Sequence, residues 1–186
     1  MSDRLTFMMG EFEANFPTDR HYAKNHMWAQ SIDGSTGGGR FRFGFAAYAV
    51  RLLQDVYFLD WHVEQGTTLS PGQEIGEIES SKAESSLYAP IAGQLVTINT
   101  RLLKDPSAIN VDKYGAGWIF EMEAEMGGRG SRRATHGREG EAPTEPHAPA
   151  SRGMAPGDLL TPDEYIEHLD AVWAVTQRTI KGQLNE

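Results

Sequence analysis

The 186-residue sequence contains no cysteine, which excludes both structural disulfides and thiolate metal sites but leaves the compartment open. It also has no apolar run that approaches the length of a membrane-spanning helix. The N-terminus lacks a basic stretch followed by a long apolar core, and its Asp3, Glu11 and Glu13 are unlike a transit peptide. We therefore expect a soluble, cytoplasmic protein.

Positive charge is scarce. The chain has 17 Lys and Arg residues against 26 Asp and Glu residues, which gives a formal net charge of −9. Phosphate backbones and anionic membrane surfaces repel an acidic protein, so we expect neither nucleic acid nor membrane as a partner. Hydrophobic residues make up 39% of the chain, which is enough for one modest core.

Composition divides the chain into four parts. Residues 1–20 form an N-terminal lead segment, and residues 21–125 carry dense strand patterns that predict a β domain. Residues 126–156 are rich in Gly, Pro, Ala and Glu and predict a flexible linker, because they cannot bury enough apolar surface to become ordered. Residues 157–186 contain a helix. The lead either packs on the domain, which we favour, or awaits a partner; its apolar side chains are Phe7, Met8, Met9, Phe12 and Phe16.

Three stretches of the β domain predict strands. Residues 40–45 (RFRFGF) alternate basic and aromatic side chains, as a half-buried strand does, and residues 55–61 and 117–123 are rich in β-formers. The glycines at 37–39 precede the first of these strands. A phosphate-binding loop needs a following helix and a Lys-Ser/Thr ending, and both are missing, so we interpret these glycines as a hairpin connection.

A short internal echo surrounds Lys82. GQEIGEI begins at Gly72 and GQLVTI begins at Gly93, and each is a Gly-Gln turn that leads into a short apolar strand. Lys82 lies near the midpoint between them, among small polar and acidic residues. This arrangement predicts a pseudo-symmetric β-sandwich with Lys82 at the tip of a hairpin, where a modifying enzyme reaches the amine from most sides.

The C-terminal region predicts an amphipathic helix. Thr161 suits the N-cap, Pro162 suits the first helical position, and Glu164 completes a capping box. We favour packing of the apolar face on the β domain over an exposed partner-binding helix. That face consists of Tyr165, Ile166, Leu169, Val172, Trp173, Thr176 and Ile180.

The residues around Lys82 resemble the lipoylation site of the glycine cleavage system H protein family. In that family the modified lysine has a glutamate three residues before it and a glycine eleven residues after it, and Glu79 and Gly93 stand at those positions. Residues 25–28 (NHMW) are similar to the family's His-x-Trp opening. The resemblance continues through residues 44–61, through residues 98–122 and into the terminal helix, so it covers most of the chain.

This resemblance implies a fold, a cofactor and a set of partners. The fold is a lipoyl domain, the barrel-sandwich hybrid of two small antiparallel sheets, with a C-terminal amphipathic helix. The cofactor is lipoate, joined covalently to Lys82. The arm receives an aminomethyl group from glycine decarboxylase (P protein) and delivers it to aminomethyltransferase (T protein). Dihydrolipoyl dehydrogenase (L protein) reoxidises the arm, and a lipoate-attaching enzyme installs it. The carrier itself performs no catalytic step.

The resemblance also implies roles for individual residues. Recognition by the modifying enzyme is implied for Glu79, Ser80, Ala83 and Gly93, and shelter of the loaded arm is implied for His26 and Trp28. The acidic residues Glu77, Glu79 and Glu84 offer charge complementarity to basic entrances on the partner enzymes. The residues themselves show no nucleophile–base pair and no clustered metal ligands, because His21 and His26 lack a known ligand spacing.

Three features depart from the family pattern. Ser81 replaces the usual valine before the lysine, Gln54 replaces the glycine of a Leu-Gly-Asp motif, and the linker interrupts the path to the terminal helix. One alternative is therefore an H-like lipoyl carrier for sulfur oxidation or for lipoyl relay between proteins. A biotinyl carrier would place methionines beside Lys82, where Ser81 and Ala83 stand. An unmodified interaction module is the remaining alternative.

Overall fold

The structure is a computed structural model that describes residues 3–34, 38–124 and 159–183, with side chains described as far as residue 177. The predicted linker lies outside these residues. The helices are α1 (Ala47–Leu53), α2 (Ser107–Val111) and α3 (Pro162–Gln183). The strands are β1 (Arg4–Met9), β2 (Phe12–Pro17), β3 (His21–Tyr22), β4 (Met27–Ser31), β5 (Gly39–Phe45), β6 (Val56–Trp61), β7 (Thr68–Leu69), β8 (Glu74–Ser80), β9 (Glu84–Tyr88), β10 (Gly93–Ile98) and β11 (Phe120–Ala124).

Two antiparallel sheets form the β domain, which confirms the predicted fold class. The large sheet has the strand order β3-β4-β5-β11-β10-β7, and the small sheet has the order β6-β8-β9. The strands of the Gly-Gln echo lie in different sheets, β8 in the small one and β10 in the large one. The remaining two strands, β1 and β2, pair only with each other and form an N-terminal hairpin that the sequence pattern did not predict.

The main core fills the space between the two sheets. Phe41 and Phe43 on β5 point inward from the large sheet, and Ile78 points inward from the small sheet, each at most 2% exposed. Outward-facing Arg40 and Arg42 alternate with these phenylalanines and bind the Glu121 carboxylate at 2.6 and 2.7 Å. The alternation follows from the strand pleat, in which successive side chains point to opposite faces of a sheet.

A second core joins the N-terminal hairpin to α1 and α3. Phe7, Met9 and Phe16 of the hairpin are buried in it, whereas Met8 and Phe12 are 51% and 38% exposed. The ring of Tyr165 on α3 packs edge-on against Phe16 with centroids 5.3 Å apart. Most of the lead's large apolar side chains therefore pack on the rest of the molecule.

The start of α3 has the predicted capping box. The Thr161 backbone N–H donates to Glu164 Oε2 at 2.9 Å, and the Glu164 N–H donates to Thr161 Oγ1 at 3.3 Å. Tyr165 and Leu169 are fully buried, so the described part of the apolar face packs on the domain as favoured from the sequence, and the Ile180 side chain lies outside the described residues. Among the described helices, none is long and apolar enough to cross a bilayer.

Candidate functional site

A tight turn presents Lys82 between β8 and β9. The backbone N–H and the hydroxyl of Ser80 both donate to the Ala83 carbonyl, at 3.0 and 2.9 Å, and the Ala83 N–H donates back to Ser80 Oγ at 3.2 Å. Ser80 is buried and Lys82 is exposed. Ser80 and Ala83 therefore close the turn and leave Lys82 at its tip.

The ammonium group of Lys82 forms no ion pair in the described parts of the chain, where no carboxylate lies within salt-bridge distance of it. The side chain needs to give up no structural contact when the nitrogen is acylated. The exposed position and the hydrogen-bonded turn fit an enzyme that must reach a single lysine.

A cleft of about 620 Å³ opens beside this lysine, and we call it the lysine cleft. One wall is the face of α1 on which Ala49, Leu52 and Leu53 lie at helical spacing, and the opposite wall is the hairpin of β8 and β9. The lining is largely apolar, with small neutral polar groups between. The full lining consists of Asn25, His26, Phe45, Ala49, Leu52, Leu53, Ile78, Lys82, Ala83, Ser85 and Ser86.

His26 lines the lysine cleft, and its ring is hydrogen-bonded to Tyr165 on the C-terminal helix α3. Its Nδ1 atom lies 3.0 Å from the Tyr165 hydroxyl, and the tautomer of the ring decides which of the two donates. Burial, followed by the nearby His168, lowers the pKa of His26 to about 4, so the imidazole is neutral at pH 7. Burial raises the pKa of Tyr165 well above its usual value, so the phenol keeps its proton.

We expect His26 to make folding stability depend on pH between about 6.5 and about 4. The folded-state pKa lies below the unfolded value, so the unfolded chain binds the proton more tightly in this window. The stability that neutral His26 contributes to the fold is fully present above the pKa of the histidine in the unfolded chain. It is lost as the pH falls toward the pKa of His26 in the folded protein. Urea unfolding at pH 7 and at pH 4.5 measures the free energy of unfolding. Its decrease between the two pH values should be larger in wild type than in His26→Asn by on the order of 2 kcal/mol.

Asparagine is the suitable replacement because His26 has a φ of 64°, a conformation that asparagine tolerates better than most residues. His168 and Tyr165 face the ring and are present in both proteins; because His168 also lowers the pKa of His26, the difference between the two proteins reports the titration of this coupled pair. Equal losses in the two proteins would show that His26 is not held neutral by the fold.

Trp28 does not line the lysine cleft, although the family resemblance implied that it shelters the loaded arm together with His26. Its ring is fully buried in the second core, where its Nε1–H donates to the Lys113 carbonyl at 2.9 Å. Gly44 packs flat against it, since a Cβ at that position would lie 2.7 Å from the indole ring. Successive residues of β4 point to opposite faces, and Trp28 therefore points into this core.

Glu79 and Gly93 lie in different sheets. Glu79 is on β8, directly opposite Glu84 on β9, and is half-buried. Gly93 begins β10, where a Cβ would stand 2.5 Å from the Glu123 carbonyl oxygen. The backbone of β11 thus leaves no room for a side chain at Gly93. Packing alone therefore requires glycine at this position, independently of any recognition by a modifying enzyme.

The backbone next to the lysine turn is strained. Gln54 has φ 53° and ψ 142°, and Asp55 has φ 22°, so two consecutive non-glycine residues have positive φ. The Asp55 carbonyl accepts the Ser81 N–H at 3.3 Å, and the Asn110 side chain bonds both backbone groups of Val56 at 3.0 Å. These bonds hold the segment in a conformation that glycine adopts without strain.

We expect Gln54→Gly to raise the free energy of unfolding by about 1 kcal/mol, because relief of the strained φ exceeds the entropy that glycine adds to the unfolded chain. Thermal or urea unfolding measures the change. Gln94→Gly, at an exposed position of β10, is the control and should destabilise the protein instead. If the Gln54→Gly protein is less stable than wild type, the backbone at Gln54 is not strained.

A second depression of about 630 Å³ lies on the other side of α1, against the N-terminal hairpin. Its charged lining residues are of both signs: Arg4, Glu13, Arg51, Asp55 and Lys113. Although it is as large as the lysine cleft, Lys82 is not part of it, and its mixed charges favour no class of ligand.

Strand pairing also brings Asp60, His62 and Glu77 together, with potential ligand atoms within 4.8 Å of one another. This group was not predictable from the sequence, because Asp60 and Glu77 become neighbours only through the pairing of β6 with β8. All three side chains are exposed, and exposed acidic groups often meet without binding a metal. We assign no metal site to them.

The fold of two small antiparallel sheets, with a lysine at a hairpin tip, is typical of the lipoyl-domain class of carriers. Comparison with known proteins agrees: a sequence profile of the Glycine cleavage H-protein family matches residues 20–134. The chain is 38% identical over 112 residues to the glycine cleavage system H protein of Pseudoalteromonas atlantica, which covers 60% of this chain and 83% of that protein. It is 39% identical over 107 residues to that of Nocardia farcinica, which covers 58% and 77%.

The same family is found among solved structures. The crystal structure of a glycine cleavage system H protein from Mycobacterium marinum matches with a TM-score of 0.58 and 33% sequence identity, over 82% of this chain and 97% of that chain. The chain therefore belongs to the glycine cleavage H-protein family, which is a family of lipoate carriers.

Several lining residues of the lysine cleft escaped the sequence analysis. Leu52 and Leu53 belong to α1, which the strand patterns on either side obscured. The i, i+3, i+4 spacing of Ala49, Leu52 and Leu53 is the signal that would have identified this helix face. Tyr165 was assigned to the apolar face of α3, but the contact of its hydroxyl with His26 depends on how the helix docks.

Proposed function

We propose that Lys82 carries the lipoyl arm and that the protein is the non-catalytic carrier of the glycine cleavage system. The supporting observation is the turn closed by Ser80 and Ala83, which presents an amine without an ion pair at the mouth of an apolar cleft. When bound, lipoate supplies a dithiolane that accepts an aminomethyl group from glycine decarboxylase and delivers it to aminomethyltransferase. Dihydrolipoyl dehydrogenase then restores the disulfide.

The residues around Lys82 fit such an arm. The apolar wall of Ala49, Leu52 and Leu53 suits a saturated hydrocarbon chain, since burial of each CH₂ group contributes about 0.8 kcal/mol. The neutral imidazole of His26 adds a polar contact without a buried charge. No cysteine is present to exchange with the arm's disulfide. Glu79 on the adjoining strand serves the lipoate-attaching enzyme as a recognition residue.

The pathway is tested by glycine–bicarbonate exchange with glycine decarboxylase. The lipoylated protein should support exchange, and the same preparation without lipoate should not. The protein must be shown to be fully lipoylated by intact mass before the assay. Complete lipoylation without exchange would exclude the glycine cleavage role and leave the carrier role intact.

One observation favours a second candidate, an H-like lipoyl carrier for sulfur oxidation or for lipoyl relay. Among the described residues that line the lysine cleft there is no Asp or Glu, and His26 is uncharged at pH 7. An aminomethyl group brings an amine that would find no counter-ion there. A carrier of this kind would accept lipoate at Lys82 but give no exchange.

A further inference from the structure

Three rings pack around the imidazole of His26. The Tyr48 ring on α1 lies 4.5 Å from it between centroids, and the rings of Tyr165 and His168 on α3 lie 6.0 and 5.8 Å away. The Nδ1 atom points toward α3, where the Tyr165 hydroxyl lies 3.0 Å from it. Because the plane of the imidazole is set by these contacts, its two nitrogens have fixed directions.

The Tyr165 hydroxyl decides which nitrogen of His26 carries the proton. Tyr165 is fully buried, and in the described parts of the chain its hydroxyl has no hydrogen-bond partner other than His26 Nδ1. A buried O–H without an acceptor is costly, so this O–H donates to Nδ1. Burial raises the pKa of Tyr165 and lowers the pKa of His26 to about 4, so the imidazole is neutral at pH 7. Its single proton therefore lies on Nε2.

The Nε2 atom of His26 opens into the lysine cleft. Within the described residues, no group is hydrogen-bonded to it. The buried side-chain nitrogens without a partner there are Arg40 Nε and Trp61 Nε1, so His26 Nε2 is not sealed inside the protein. Since His26 lines the cleft together with Lys82, the cleft contains an N–H that is available to donate.

The other polar side chains of the cleft are less suited to hold a ligand in one position. The Asn25 amide donates to the Tyr88 carbonyl at 3.2 Å. The hydroxyls of Ser85 and Ser86 can rotate, and Ser86 is exposed to water. His26 is therefore the donor with the most fixed direction in the cleft, and a donor held in place binds without an ordering cost.

The arm that the proposed function attaches to Lys82 has one strong hydrogen-bond acceptor. This acceptor is the amide carbonyl that joins the lipoyl chain to Lys82, since the groups on either side are hydrocarbon and sulfur accepts only weakly. Transfer of an amide carbonyl from water into an apolar cleft is unfavourable unless a donor replaces the water. The Nε2–H of His26 replaces it without bringing a charge into the cleft.

We propose that Tyr165 is a positioning residue for the lipoyl arm: its hydroxyl keeps the proton of His26 on Nε2, and this N–H donates to the amide carbonyl of the arm. The inference rests on the proposed function, because it needs the arm on Lys82, but it does not depend on the pathway. No described residue of α3 lines the lysine cleft. The C-terminal helix therefore acts on the arm through His26.

Nitrogen-15 NMR of histidine-labelled protein at pH 7 tests the position of the proton. The signals of His26 are those missing from His26→Asn. In wild type, Nε2 should be protonated and Nδ1 unprotonated, and lipoylation should move the Nε2–H proton signal downfield. Tyr165→Phe should shift the Nδ1 signal toward that of a nitrogen without a hydrogen bond. A proton on Nδ1 in wild type, or an Nε2–H signal that lipoylation leaves unchanged, would overturn the proposal.

Alkylation of the reduced arm measures how firmly the cleft holds it. In fully lipoylated Tyr165→Phe the reaction should be about five-fold faster than in wild type, as expected for the loss of one neutral hydrogen bond. His26→Asn should give a similar increase. The double variant should remain within about two-fold of His26→Asn, because Tyr165 acts through His26. Two increases that multiply in the double variant would contradict this route.

Tyr22→Phe is the matched control for Tyr165→Phe. Tyr22 is also fully buried and stacks on Tyr165 with centroids 4.6 Å apart, but its hydroxyl donates to the Pro17 carbonyl at 2.7 Å. The arm of this variant should react within about two-fold of the wild-type rate, since the bond to His26 is kept. Equal acceleration by the two variants would assign the effect to a loosened core and would overturn the positioning role.

The outcomes separate this inference from the proposed function. Wild-type protein that receives no lipoyl group at Lys82 would refute the proposed function. Lipoylated wild type with the proton of His26 on Nδ1 would refute the positioning role alone. The NMR measurement on wild type decides the question even if Tyr165→Phe does not fold.

Discussion

Lys82→Arg will receive no lipoyl group from lipoate ligase, lipoate and ATP, whereas the wild-type protein will gain one. The arginine guanidinium stays protonated in proteins and cannot act as the acyl acceptor. The turn itself should persist, because it is closed by Ser80 and Ala83 and the Lys82 side chain forms no ion pair. Intact-mass measurement and peptide mapping quantify the addition.

Lys104→Arg is the matched control for this result. Lys104 is an exposed lysine far along the chain from the hairpin, and its replacement should leave lipoylation unchanged. Wild type and Lys82→Arg should have the same melting temperature. A lipoyl group on another lysine of the Lys82→Arg protein would refute the assignment of the site.

Ser85→Trp should accept lipoate normally but lose the shelter of the lysine cleft. Ser85 lies on β9 and lines the cleft, and an indole ring at this position would fill the space beside Lys82. With the arm excluded, alkylation of its reduced thiols should be about ten-fold faster than in wild type. A ten-fold change corresponds to about 1.4 kcal/mol of contact between arm and cleft.

The control for the cleft is Thr68→Trp, which adds the same ring to an exposed position of β7 on the large sheet. Its arm should react at the wild-type rate. If Ser85→Trp also reacts at the wild-type rate, the arm does not reside in the lysine cleft. Alkylation measures the exposure of the arm directly, so the outcome does not depend on which pathway the carrier serves.

Local features of the site were predictable from the sequence. The Lys82 turn follows from two short strand patterns separated by small polar residues, and the Thr161–Glu164 capping box follows from three helix-start signals within four residues. Both depend only on residues close together in the chain. The fold, the cofactor and the partners were implied by the family resemblance, whose motifs occur in order along most of the sequence.

Features that depend on the pairing of distant segments were not predictable. The direction of Trp28 depends on which face of the large sheet meets the N-terminal hairpin, and this hairpin lies outside the residues that match the family profile. Asp60 and Glu84 come onto one surface with Glu77 because β6 and β9 flank β8 in the small sheet. Strand order of this kind is set by the whole fold.

Peptide mapping of the protein purified from cells that make lipoate tests most directly whether Lys82 carries an acyl arm. The prediction is one lipoyl group per chain, on the peptide that contains Glu79 and Lys82, with every other lysine unmodified. A bare amine at Lys82 in protein from such cells would contradict the account.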